Sequence, residues 1–121
     1  MSEVFLLIYT FKFLKFFTLE HTELRVHNRD IAYGRNGITI APCEEREDMI
    51  LKTIIFCGNT DISDEDLTQY LMHILTFFTK ENYKLFTNNC RKFSTIVLKY
   101  LDTNDNEEGN KSDKIAMNNI F

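Results

Sequence analysis

Residues 21–40, HTELRVHNRDIAYGRNGITI, restrict the fold more than any other part of the chain. Thr22, Leu24 and Val26 alternate with Glu23, Arg25 and His27, the period-two pattern of a strand with one buried and one wet face. Asn28–Asp30 supplies a turn and Ile31–Tyr33 a returning strand. Gly34-Arg35-Asn36-Gly37 contains an Asn-Gly step, a strong hairpin signal, and leads into a third short strand, Ile38–Ile40. A chain patterned in this way carries a small antiparallel sheet or barrel.

The flanks extend that reading. Val4–Phe11 is β-branched and aromatic, as a buried strand requires. Lys12 and Lys15 break the apolar run Val4–Leu19 before it reaches membrane-spanning length, and no signal-peptide pattern is present. Residues 12–19 fit a strand or a short helix that turns both lysines to solvent. Residues 41–49 read as a polar surface loop, and Ile50–Cys57 as an apolar strand ended by Gly58-Asn59. Ser63 caps a helix whose first turn is acidic and whose apolar stripe is Leu67, Leu71, Ile74, Leu75 and Phe78. Asn82–Thr87 reads as extended. A second helix then runs from about Arg91 to Leu101, with Phe93, Ile96, Val97, Tyr100 and Leu101 on one side. These elements predict an α+β domain over 1–101, followed by an acidic, disordered tail over 102–121.

The chain has 121 residues, enough for a single core. Its net charge of −4 is a poor match for phosphate backbones, so no nucleic-acid partner is expected. Five acids and two lysines in residues 102–121 account for −3 of that charge, which weakens the argument for the folded part. Three cysteines without a CxxC pair indicate neither a disulfide framework nor a zinc site. They fit a reducing compartment, the cytoplasm or nucleus, with no cofactor and no metal. A metal site from His21, His27 and an acid has only one i, i+6 pair behind it.

Cys90 carries the chemistry most readily. Asn88 or Asn89 is a good N-cap, which puts Cys90 in the first turn of the second helix. Such a position can bring a thiol from about 8.5 to roughly 3.5–7.5. The competing reading is a cysteine that simply packs. A nucleophilic thiol needs a base, and three histidines are available. His73 reads as a helix-surface residue and His27 as a solvated turn residue. His21 begins the alternating strand, where a side chain can project from the sheet end. Cys57 reads as core, and Cys43 as a loop thiol with no helix start to activate it.

Four segments in one order resemble the PPPDE domain, the desumoylating-isopeptidase family of cysteine peptidases. They are His21-Thr22, Tyr33-Gly34-Arg35-Asn36-Gly37-Ile38, Gly58-Asn59-Thr60, and Tyr83-Lys84-Leu85-Phe86-Thr87-Asn88-Asn89-Cys90-Arg91-Lys92-Phe93-Ser94. The resemblance covers about residues 21–101. It implies a circularly permuted papain-like fold in which His21 is general base, Cys90 is nucleophile, and no third member is named. Tyr33, Gly34, Gly37 and Asn89, inside the matching segments, become the expected substrate-binding positions. Glu20 stands where the family has Trp, and Arg91 where it often has Asn.

The implied activity is removal of a ubiquitin-like modifier, SUMO or ubiquitin, from protein lysines, without integral membrane association. Two alternatives share the motif. One is a thioesterase or acyltransferase of the lecithin:retinol acyltransferase type. The other is a non-catalytic pseudoenzyme that binds a modifier.

Overall fold

The computed structural model describes residues 1–11 and 20–103. The expectations for residues 12–19, and for the tail from residue 104 on, lie outside the described residues. Among the described residues five strands form one open antiparallel sheet in the order β4-β3-β2-β1-β5, and two helices pack against it. The strands are β1 (Ser2–Phe11), β2 (Glu20–Val26), β3 (Arg29–Gly34), β4 (Gly37–Pro42) and β5 (Met49–Thr60). The helices are α1 (Asp64–Ile74), followed by a 3-10 turn at Leu75–Phe77, and α2 (Cys90–Leu101). The architecture is α+β, and among the described residues the sheet does not close into a barrel.

Alternation decides the core. Val4, Leu6 and Ile8 of β1, Leu24 and Val26 of β2, and Ile31 and Tyr33 of β3 turn one sheet face toward the helices. Leu67, Leu71 and Ile74 of α1 and Phe93, Val97 and Leu101 of α2 meet them there. Aromatic rings lock the joint: Phe93 packs edge-on against Phe78 at 5.3 Å and tilted against Tyr33 at 6.0 Å. Each helix is capped as its sequence dictates. Ser63 accepts from the Asp66 N–H at 3.1 Å, and Asn89 Oδ1 accepts from the N–H groups of Arg91 and Lys92.

Several local expectations need correction. The first reversal lies at His27-Asn28, both with positive φ, so β3 starts at Arg29 rather than after Asp30. His27 is half-buried, with Nε2 on the Ile62 carbonyl at 2.9 Å, instead of solvated. The second turn is Arg35-Asn36, and Gly37, at φ 91°, supplies the left-handed residue that closes it. Strand β5 does not stop at Gly58-Asn59. Gly58, at φ 111°, accommodates a shift in pairing with β1 between Val4 and Phe5, and the strand continues to Thr60.

Leu75 is exposed because the helix tightens into the 3-10 turn and leaves the apolar stripe. Leu98, absent from the expected stripe, is buried. Asn82–Thr87 is a compact turn rather than an extended segment. A Lys84–Asn88 bridge closes it, and the Asn88 side chain donates to the carbonyls of Phe77 and Asn82 at 3.1 and 3.0 Å. No helix among the described residues is long and apolar enough to cross a membrane.

Candidate active site

The sheet and α2 bring together two residues far apart in sequence. His21 lies near the start of β2, opposite Tyr9 of β1. Cys90 is the first residue of α2, directly after its Asn89 cap. Helix α2 packs across β2 and β3, and a buried hydrogen bond between Thr22 Oγ1 and Ser94 Oγ, 3.1 Å, pins the two elements. That packing sets the Cys90 sulfur against the His21 ring and against Thr22, which hydrogen-bonds it through backbone and side chain.

The electrostatics follow from these contacts. Burial works against charge on both groups, yet the mutual hydrogen bond and attraction outweigh it. The Cys90 thiol is pulled down from its ordinary value by His21 and Thr22. The imidazole is pushed up to about 9 by Cys90 and Glu23. Each shift favours the charged form of its group, the thiolate of Cys90 and the imidazolium of His21. The His21 Nε2 faces Glu23 Oε2 at 3.0 Å, so the sulfur contact falls to Nδ1. The rings of Tyr9 and Phe11 flank the imidazole at 6.2 and 6.3 Å and limit its movement.

Both groups line an open groove of about 520 Å³. Its lining includes Phe11, Glu20, Met49, Gly34 at the end of β3, Arg35 of the β3–β4 turn, Tyr83 and Leu85. Of the four expected substrate-binding positions, Gly34 lines this groove. Tyr33 is buried in the core, its hydroxyl donating to the Thr79 carbonyl at 2.6 Å. Gly37 sits behind the turn beside the Lys80 backbone. Asn89 is committed to the cap, and its Nδ2 donates to the Leu85 carbonyl at 2.8 Å. Glu20 pairs with Lys52 at 2.9 Å, and Arg91 lies within the fields of Cys90 and Glu20.

The other sulfurs and histidines stand apart. Cys57 is buried, Cys43 is exposed and approaches Asp30, and His73 is exposed. Among the described residues no three His, Cys, Asp or Glu side chains gather as metal ligands. Sequence reasoning overlooked Glu23, assigned to a wet face but only 4% exposed, and Arg46, placed in a surface loop. The His-x-Glu spacing on a strand was the available signal for Glu23, since residues two apart share a face. Arg46 had no local signal.

The contact between Cys90 and His21 makes a specific prediction for stability against pH. Unfolded, the ring titrates near 6.5 and the thiol near 9.0. The raised His21 value contributes stability that is complete below about 6.5 and lost as pH rises through about 9. The lowered Cys90 value contributes stability that is complete above about 9.0 and lost as pH falls through its folded value. Where the two windows overlap, the slopes have opposite signs and offset each other. Urea unfolding at several pH values across this window should show Cys90→Ala losing stability relative to wild type as pH rises. A Cys90→Ala variant that gains stability on wild type as pH rises would contradict the ion pair.

Comparison with known proteins gives a consistent picture. The sequence model of the family described as "PPPDE putative peptidase domain" matches residues 18–117. Desumoylating isopeptidase 1 of Xenopus laevis is 32% identical over 84 residues, which are 67% of this chain and 48% of the relative. The proteins of the same name from Rattus norvegicus and Homo sapiens are 30% and 29% identical, each match covering 67% of this chain and 49% of the relative. The chain thus spans about half the length of the curated relatives it matches.

Proposed function

We propose that this chain, which belongs to the PPPDE peptidase domain family, is a cysteine isopeptidase that removes a ubiquitin-like modifier from protein lysines, with Cys90 as nucleophile and His21 as general base. The observation that carries the reading is the hydrogen bond between the His21 ring and a Cys90 thiol held at a helix start. The names of the relatives favour SUMO over ubiquitin as the modifier. The early histidine on a strand and the late cysteine on a helix agree with a permuted papain-like arrangement.

The chemistry proceeds in two halves. The thiolate attacks the carbonyl of the modifier's C-terminal residue, forming a C–S bond and moving the carbonyl electron pair onto oxygen. The backbone N–H of Cys90, at the positive end of α2, faces that developing charge. As the intermediate collapses, the imidazolium gives its proton to the departing lysine nitrogen and the C–N bond breaks. The neutral ring then takes a proton from water, whose oxygen attacks the thioester; the thiolate leaves and the ion pair is restored. The groove suits an extended tail, since Gly34 opens one wall without a side chain.

The test is cleavage of a SUMO conjugate, together with labelling by a SUMO carrying an electrophile at its C-terminus. Wild type should cleave the conjugate and form an adduct at Cys90. Cys90→Ala should do neither while retaining the fold. Cleavage by Cys90→Ala sinks the assignment; so does a wild type that turns over lipid vesicles but no modifier conjugate.

A further inference from the structure

We propose that Glu23 is a positioning residue for His21, the third member of a Cys90–His21–Glu23 triad that Arg46 holds in place. The inference rests on the assignment of Cys90 and His21 above. Two residues apart on β2, His21 and Glu23 project from the same face of the strand, and Nε2 meets Oε2 at 3.0 Å. A carboxylate that is only 4% exposed is costly unless it is paired.

Glu23 divides its two oxygens between two cationic partners. Oε2 serves the imidazole. Oε1 accepts from Arg46 Nη2 at 2.8 Å and Nε at 3.3 Å. Turning the carboxylate would break one contact or the other. Arg46 is itself held, 3.6 Å from Asp30, which Arg25 grips with two bonds of 2.7 and 2.9 Å. The charged and titratable groups around the pair are Cys90 of α2 beside the ring, and Arg46 of the β4–β5 loop and Tyr9 of β1 beside the carboxylate, with Asp30 of β3 and Arg25 of β2 next to Tyr9 and Asp30 also next to Arg46.

The contact has a chemical consequence. An Nε2–H donated to Glu23 fixes the ring so that Nδ1 meets the sulfur, and the negative charge favours the imidazolium. Glu23 does not take the proton. Burial alone would raise its pKa, but His21 and Arg46 hold the carboxyl below its ordinary value. A residue that merely neutralised Arg46 would leave the ring's titration where it was.

The decisive measurement is an NMR titration of the His21 ring, its signals identified by their loss in His21→Ala. In wild type the ring should titrate near 9. Glu23→Gln should lower that value by roughly 1–3 units. It should also lower kcat on a SUMO conjugate roughly tenfold or more, with KM unchanged. Arg46→Met removes a positive charge and should leave the titration at or above the wild-type value, the opposite sign.

Glu23→Asp keeps a counter-charge for Arg46 while withdrawing the carboxylate by one methylene, so kcat should fall there even if Glu23→Gln does not fold. A Glu23→Gln ring that titrates with wild type overturns the proposal and leaves the dyad intact. An Arg46→Met shift as large as that of Glu23→Gln and in the same direction, the mark of loosened packing, also overturns it. A wild-type ring near 6.5 that Cys90→Ala does not move overturns the dyad assignment itself.

Discussion

Replacing His21 with alanine is expected to reduce conjugate cleavage by roughly 10²–10⁴-fold, the contribution of a positioned acid–base group. The same change should slow alkylation of Cys90 by iodoacetamide at neutral pH. Burial raises the thiol's pKa, and the largest opposing influence is the hydrogen bond to His21. Without the ring, the buried sulfur keeps its proton, and what remains are the two hydrogen bonds from Thr22. In wild type, cleavage should persist as pH rises toward about 9 and fall beyond it, because departure of the lysine needs the imidazolium proton. The readouts are kcat/KM and the alkylation rate constant, each against pH. Unchanged alkylation in His21→Ala would show that the helix start and Thr22 activate the thiol by themselves.

Phe93→Ala should destabilise the domain by about 3–5 kcal/mol in urea unfolding. Phe93 is fully buried one turn after Cys90 and touches rings from two other segments, Tyr33 of β3 and Phe78 beyond the 3-10 turn. Its removal opens a cavity where α2, β3 and the chain leaving the 3-10 turn at Phe78 converge, so collapse around the gap would move all three. Against a typical domain stability of about 5–15 kcal/mol, that loss is large enough to depress the folded fraction on warming. Phe93→Leu, which refills most of the volume, should recover more than half of the loss. A cost below about 1 kcal/mol for Phe93→Ala would mean that the aromatic cluster does not anchor α2.

Much of the architecture was legible because it rests on local rules. The alternation in β2, the Ser63 and Asn89 caps and the apolar stripes each specify an element through a few neighbouring residues. The places of Cys90 at a helix start and His21 at a strand start were legible for the same reason, since an N-cap before a thiol and an alternating pattern after a histidine are local signals.

What could not be read depends on residues remote in sequence. Glu23 is formally on the polar face of its strand, and only the return of the β4–β5 loop with Arg46 makes that face an interior. Tyr33 sits in a motif that suggested a binding role, yet three rings from later segments enclose it. The exact turn residues were missed because His27 and Asn28 adopt positive φ, which their types permit but do not announce.

The hydrogen bond between Thr22 and Ser94 has a consequence for when the protein becomes reactive. It joins a strand made early in synthesis to a helix made late, and the histidine adjoins one partner while the cysteine heads the helix of the other. Until that helix docks, the thiol has neither the imidazole nor Thr22 beside it and behaves as an ordinary cysteine, poorly ionised and slow to oxidise. The nascent chain is thus chemically quiet, and thiol reactivity becomes a property of the finished tertiary structure. An opening that lifts the first turn of the helix takes the sulfur away from both groups that lower its pKa and returns Cys90 to an ordinary thiol.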